Sequence, residues 1–146
     1  MFPSHDRQVD DNTAIGKGAM TANTTGGSNV AVGSIALDAN TTGNSNVAVG
    51  KGALSTNSTG GGNVAVGPNA LLSATTADSN TAIGNGALES NTTGYRNTAV
   101  GATALDAITT GIQNTAVGQG AGGAATTAVN LSAFGHGAGA SVTTGS

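Results

Sequence analysis

Apolar and polar positions recur along this chain with a fixed step. The segment Asn12-Thr13-Ala14-Ile15-Gly16 returns as Asn29-Val30-Ala31-Val32-Gly33, and again from Asn46, Asn63, Asn80, Asn97 and Asn114, each time 17 residues further on. An eighth copy, Leu131-Ser132-Ala133-Phe134-Gly135, keeps the phase but loses the leading Asn. Counting places from Asn12, the third and eighth are always Ala, the fifth always Gly and the fourteenth always Thr. Self-similarity at a fixed short period is the mark of a repeat architecture in which each unit stacks on its neighbours.

The unit is too short for two helices and a turn, and its Gly, Asn and Thr content opposes helix. The pattern predicts an all-β parallel β-solenoid of eight 17-residue coils over residues 12–146, preceded by a lead segment over 1–11. Two short strands per coil are expected. The first runs through the Asn-Thr/Val-Ala-Ile/Val stretch, whose fourth place is β-branched or aromatic throughout. Gly then bends the chain, a second strand follows through the Ala-Leu pair, and Thr-Thr-Gly closes the coil. Eight coils at strand spacing make a rod of roughly 38 Å. The ninth place is Met20, then Leu37, Leu54, Leu71, Leu88 and Leu105, but Gly122 and Gly139 at the end, so the last two coils are built differently.

Strand alternation puts the third-place Ala on one side and the second and fourth places on the other. A thin coil has room inside mainly for small groups such as Ala. The column Ile15, Val32, Val49, Val66, Ile83, Val100, Val117 and Phe134 then faces outward as a structural ladder, and an apolar stripe of that length marks a partner interface. The opposite assignment, with the Ile/Val column and Leu inside, gives a self-sufficient thin core. The former is the expectation carried forward. First-place Asn is expected to bond local backbone or its own copy in the next coil.

Composition sharpens the picture. Leu, Ile, Val and Phe together make 25 of 146 residues, too few for a conventional globular core, yet the net charge is only -3, which does not drive disorder. Arg7, Lys17, Lys51 and Arg96 are too few and too scattered to neutralise a phosphate backbone, so nucleic acid is not an expected partner. There is no cysteine, hence no disulfide and no thiolate metal site. Met1 to Asp11 holds Asp6, Asp10 and Asp11 without an apolar run, and so reads as neither a signal peptide nor a membrane segment; no membrane insertion is expected.

Candidate chemistry is sparse. Asn23, Asn40, Asn57 and Asn91 share the twelfth place in Asn-x-Ser/Thr sequons, a fifth sequon lies at Asn130, and the twelfth place is expected on the outer turn, where glycosylation could coat one edge. Asn-Thr-Thr-Gly is equally good turn chemistry. The Thr pairs from Thr24-Thr25 to Thr143-Thr144 form a ladder of the kind that can bind ice, but adjacent residues are expected to point to opposite faces. His5 and His136 are isolated, Asp38, Glu89 and Asp106 read as a solvated edge, and no set of acid, base and nucleophile recurs. No enzyme activity, cofactor or metal is expected.

Asn-Val-Ala-Val-Gly and Asn-Thr-Ala-Ile-Gly, each followed by a small-residue-Ala-Leu step and Thr-Thr-Gly, resemble the head repeats of YadA-like trimeric autotransporter adhesins, and are similar to runs in phage and algal-virus tail fibre proteins. The resemblance spans Asn12 to Ser146. It implies a left-handed β-roll, packed as a homotrimer with the Val and Ile ladder contributing, that serves as an adhesin head or fibre shaft. It implies an extracellular, cell-surface or virion location and a host cell-surface or matrix component as partner. The unit of 17 is longer than the units usual in those heads, and no coiled-coil stalk or anchor is seen. A second expectation is a self-assembling filament subunit that stacks head to tail through its open coil edges.

Overall fold

A computed structural model describes residues 11–144 of the chain. Apart from Asp11, the lead segment lies outside the described residues, as do His5, Gly145 and Ser146. Eight three-residue strands form one parallel sheet in sequence order: β1 (Thr13–Ile15), β2 (Val30–Val32), β3 (Val47–Val49), β4 (Val64–Val66), β5 (Thr81–Ile83), β6 (Thr98–Val100), β7 (Thr115–Val117) and β8 (Ser132–Phe134). Every residue pairs with its copy one repeat on, as Ala31 with Ala48 and Val32 with Val49, so the chain is a β-solenoid of about seven turns. The register has no slip from Thr13↔Val30 to Val117↔Phe134.

Alternation decides the two faces. The third-place alanines from Ala31 to Ala116 are fully buried, and the fourth-place column is half-buried or exposed on the outer side. The interior holds more than third-place alanine: the eighth-place Ala from Ala36 to Ala121 and the ninth-place Leu37, Leu54, Leu71, Leu88 and Leu105 are fully buried as well. Leu therefore shares the core with Ala while the fourth-place Val and Ile stay out, and Ile108 of the twelfth place is buried with them.

The expected second strand is absent. Met20 and the five leucines adopt φ between 51 and 55°, and the Ala-Leu pair is a turn whose amides still bond the next coil, as Leu37 N–H to the Ala53 carbonyl at 3.0 Å. Left-handed backbone costs an L-residue about 1–2 kcal/mol, while burying a leucine returns about 2–3 kcal/mol, so burial wins. At Gly122 and Gly139 the same turn is made without that cost (φ 65 and 66°).

Fifth-place glycine is obligatory on two counts. Gly50 has φ 137°, and a Cβ there would lie 2.5 Å from the Gly67 carbonyl oxygen of the next coil. The turn therefore comes at the same place in every coil and delivers each strand in phase.

The first-place asparagines inside are paired. First-place Asn Oδ1 accepts the first-place N–H of the following coil at 2.8–3.1 Å, seven times from Asn12 to Asn114. Its Nδ2 donates to the fifteenth-place carbonyl of its own coil, as Asn29 to Gly43 at 2.9 Å. An amide buried with its partners satisfied costs little, and one left unpaired costs much. This column ties each coil to the next through the core.

Candidate interaction surface

The outer face of the sheet presents two columns. The fourth place carries Ile15, Val32, Val49, Val66, Ile83, Val100, Val117 and Phe134, of which Ile15 is 60% and Phe134 67% exposed. The second place beside it is Val30, Val47 and Val64 in the middle and Thr or Ser elsewhere. Because the strands repeat in register, both columns run unbroken along the rod and are richest in valine across β2 to β4. Side chains standing at strand spacing cover one another only in part, which leaves the face half-buried in a lone coil stack. Such a face can do one thing chemically: shed water against another apolar face.

The sequons are not where the sequence placed them. Asn40, Asn57 and Asn91 are fully buried and Asn23 is half-buried, so the twelfth place faces the interior rather than the outer turn. Each Nδ2 donates to the fifteenth-place carbonyl three residues on, at 2.8–3.1 Å. Asn40 and Asn57 also reach back to the Asn of the preceding coil at 2.9 and 3.0 Å. At Asn40, Asn57 and Asn91 the nitrogen that a sugar would need is thus already donating inside the core. Asn130 alone among the sequon residues is exposed, with φ 58°.

The threonine pair also departs from expectation. Its residues lie in a bend, not a strand, so neither hydroxyl-bearing side chain turns inward. Thr24 Oγ1 donates to the Thr41 carbonyl at 2.8 Å, and the same bond recurs up the thirteenth place to Thr126 with Thr143 at 3.3 Å. The fourteenth place, Thr25 to Thr144, is exposed in every coil. One rank of hydroxyls is thereby spent on holding coils together.

Three features were not read from the sequence. Ile35 is 41% exposed although it has φ 51°, a conformation that a β-branched residue rarely adopts. Arg96 lies over the Tyr95 ring at 5.7 Å, and Ile112 bridges Val129 in parallel outside the strands, so the sixteenth place is apolar in coils 5 to 7 and polar in coils 2 and 4 at Asn44 and Asp78. The third is a size match inside: where the twelfth place is Asn or Ile the fifteenth is Gly, and where it is Ala74 or Ala125 the fifteenth is Ala77 or Ala128. That match was legible as a paired change within the chain.

His136 is exposed, and Asp38, Glu89 and Asp106 are half-buried on separate coils. Among the described residues no group of three or more His, Cys, Asp or Glu side chains could hold a metal ion, and no helix is long and apolar enough to cross a membrane. Comparison with protein families, characterised proteins and solved structures returns no match to this chain.

Proposed function

We propose that the chain is a non-enzymatic structural segment of a fibre, joined side by side to two further copies of itself through the outer face of the sheet. The carrying observation is the unbroken fourth-place column from Ile15 to Phe134, which stays outward while Ala and Leu fill the interior. A coil core that is already complete has no internal use for that column. Burying it between copies removes apolar area from water at about 25 cal/mol per Å², and regular columns allow parallel chains to meet in register.

On this reading the roll is left-handed, the assembly is a homotrimer, and the segment is the head of a surface adhesin or the shaft of a virus tail fibre. It works outside the cell or on a virion, against a host cell-surface or matrix component. The support for those finer points is the resemblance of the repeat to adhesin heads and fibre runs. No catalytic step, cofactor or metal belongs to the reading.

The test is to place charge on the face without touching the core. Val49→Asp with Val66→Asp should lower the particle mass to that of one chain while the circular-dichroism spectrum stays that of a β-solenoid. A double variant that keeps the native mass would remove this face from the interface.

A further inference from the structure

The turn that leads into each strand changes character partway along the rod. At the sixteenth and seventeenth places, coils 1 to 4 carry small or polar pairs: Gly27-Ser28, Asn44-Ser45, Gly61-Gly62 and Asp78-Ser79. Coils 5 to 7 carry Tyr95-Arg96, Ile112-Gln113 and Val129-Asn130. The backbone is the same in both halves, with φ 57 or 58° at Ser28, Ser45, Ser79, Arg96, Gln113 and Asn130. The amides also bond alike, Ser45 N–H to the Gly27 carbonyl at 3.0 Å and Gln113 N–H to the Tyr95 carbonyl at 3.1 Å. The turn therefore has no need of the larger side chains.

Those side chains make a patch of two columns. Tyr95, Ile112 and Val129 form an apolar strip, in which the Tyr95 ring is 41% exposed and the other two are half-buried. Beside it Arg96, Gln113 and Asn130 are all exposed, and their equal backbone angles carry the Cβ bonds out in parallel, one coil or roughly 4.8 Å apart. Arg96 is the only cation after Lys51. Its guanidinium lies 5.7 Å from the centre of the Tyr95 ring, which holds it against the strip. Among the described residues it has no ion pair, and the Gln113 and Asn130 side chains make no hydrogen bond. The carboxylate of Asp78, in the coil before, accepts from Gly61 N–H at 2.6 Å and so is directed to coil 3 rather than to Arg96.

One oriented cation, two free amides and an apolar strip in a single line select among ligands. A guanidinium fork pairs with a carboxylate. A carboxamide both donates and accepts, which matches hydroxyl groups, themselves donor and acceptor. An acidic peptide or a phosphate polymer would call for further cations along the line, and the chain has none there. A sugar ring with one carboxylate, hydroxyls on its edges and C–H groups on its faces offers all three features. The geometry points to a binding site on coils 5 to 7 for a glycan of carboxylate-bearing sugars, with Arg96 on the carboxylate, Gln113 and Asn130 on the hydroxyls, and the Tyr95 strip against the sugar faces. It names the chemistry of the surface component in the fibre reading and rests on that reading for its setting, but not on how many copies associate.

Biolayer interferometry of the full native chain on immobilised polygalacturonate tests it. Native protein should bind, and binding should weaken by about tenfold for Arg96→Gln and for the same polymer with its carboxyls reduced to alcohols. The variant Tyr95→Asn with Arg96→Ser gives coil 5 the Asn44-Ser45 pair of coil 2. It should lose binding while its circular-dichroism spectrum and its mass by light scattering stay native. Mass reports on association between copies, and binding reports on this site, so the two readings fail separately. The site is overturned if native protein binds neither polygalacturonate nor a sialylated glycoprotein, or if Arg96→Gln or the reduced polymer binds as well as its native counterpart. Tighter binding to polyglutamate than to polygalacturonate would put an acidic peptide in the place of the glycan and overturn it too. If the double variant misfolds, Arg96→Gln decides, since it changes only an exposed side chain.

Discussion

Asn57 and Gly60 are matched in size and bonding: Asn57 Nδ2 donates to the Gly60 carbonyl at 3.0 Å, and a Cβ on Gly60 would lie 2.5 Å from Asn57 Oδ1. The neighbouring coil solves the same problem the other way, with Ala74 and Ala77. Ala74 has no amide to donate back as Asn40 and Asn57 do, and Asn57 Oδ1 is buried without a hydrogen-bond partner.

Repairing that break requires two changes. Ala74→Asn alone should destabilise the fold by about 1–3 kcal/mol, because the Ala77 methyl occupies the space the amide needs. Adding Ala77→Gly should recover that loss and gain about 1 kcal/mol more as a donor reaches Asn57 Oδ1. A double-mutant cycle from urea unfolding measures the coupling, and additive effects would refute the size match.

Removing a member of the first-place column should be costly. Asn63 accepts from Asn80 N–H and Nδ2 at 3.0 and 3.2 Å and donates to Ala77 O at 2.7 Å. Asn63→Ala strands a buried N–H and a carbonyl and should cost about 2–4 kcal/mol. Hydrogen exchange should locate the new opening at coils 4 and 5. A loss below 1 kcal/mol would mean that the column is incidental.

Two glycines with positive φ should respond differently to the same change. Gly67→Ala meets the Gly84 carbonyl oxygen at 2.5 Å on top of φ 135°, whereas Gly120→Ala has φ 64° and open space around it. The first should unfold the protein or cost more than about 3 kcal/mol, the second about 1–2 kcal/mol. Equal thermal shifts would show that inter-coil contact at the fifth place is looser than described.

Ile35 offers a change in the stabilising direction. The seventh place is Gly18, Gly52 and Asn69 in neighbouring coils, all with positive φ, and Ile35, like Thr103, is an exposed β-branched residue in that conformation. Ile35→Asn should raise stability by about 0.5–1 kcal/mol, read as a higher midpoint in thermal unfolding. A lower midpoint would mean that the Ile35 side chain contributes more through contact than its backbone costs.

Much of the fold could be read from the period alone. A strict 17-residue step fixes the register, so the first strand, the fifth-place turn and the inward alanines followed from counting. The second strand did not, because nothing in the letters Ala-Leu says that Leu54 takes φ 51°; only Gly122 and Gly139 in its place hinted at it. The sequons misled for a related reason. Asn-Thr-Thr-Gly is turn chemistry whichever way the Asn points, and the inward choice at Asn40 depends on the Gly43 carbonyl, which accepts both Asn29 and Asn40. The outward face was legible from alternation, but its partner was not, since an apolar column is the same sequence whatever covers it.

Whether the outward column from Ile15 to Phe134 joins three copies, as proposed, is read from light scattering coupled to size-exclusion chromatography. The expected molar mass is about three times the 13.7 kDa of one chain, unchanged on dilution through the micromolar range. A particle with the mass of a single chain at every concentration would contradict it.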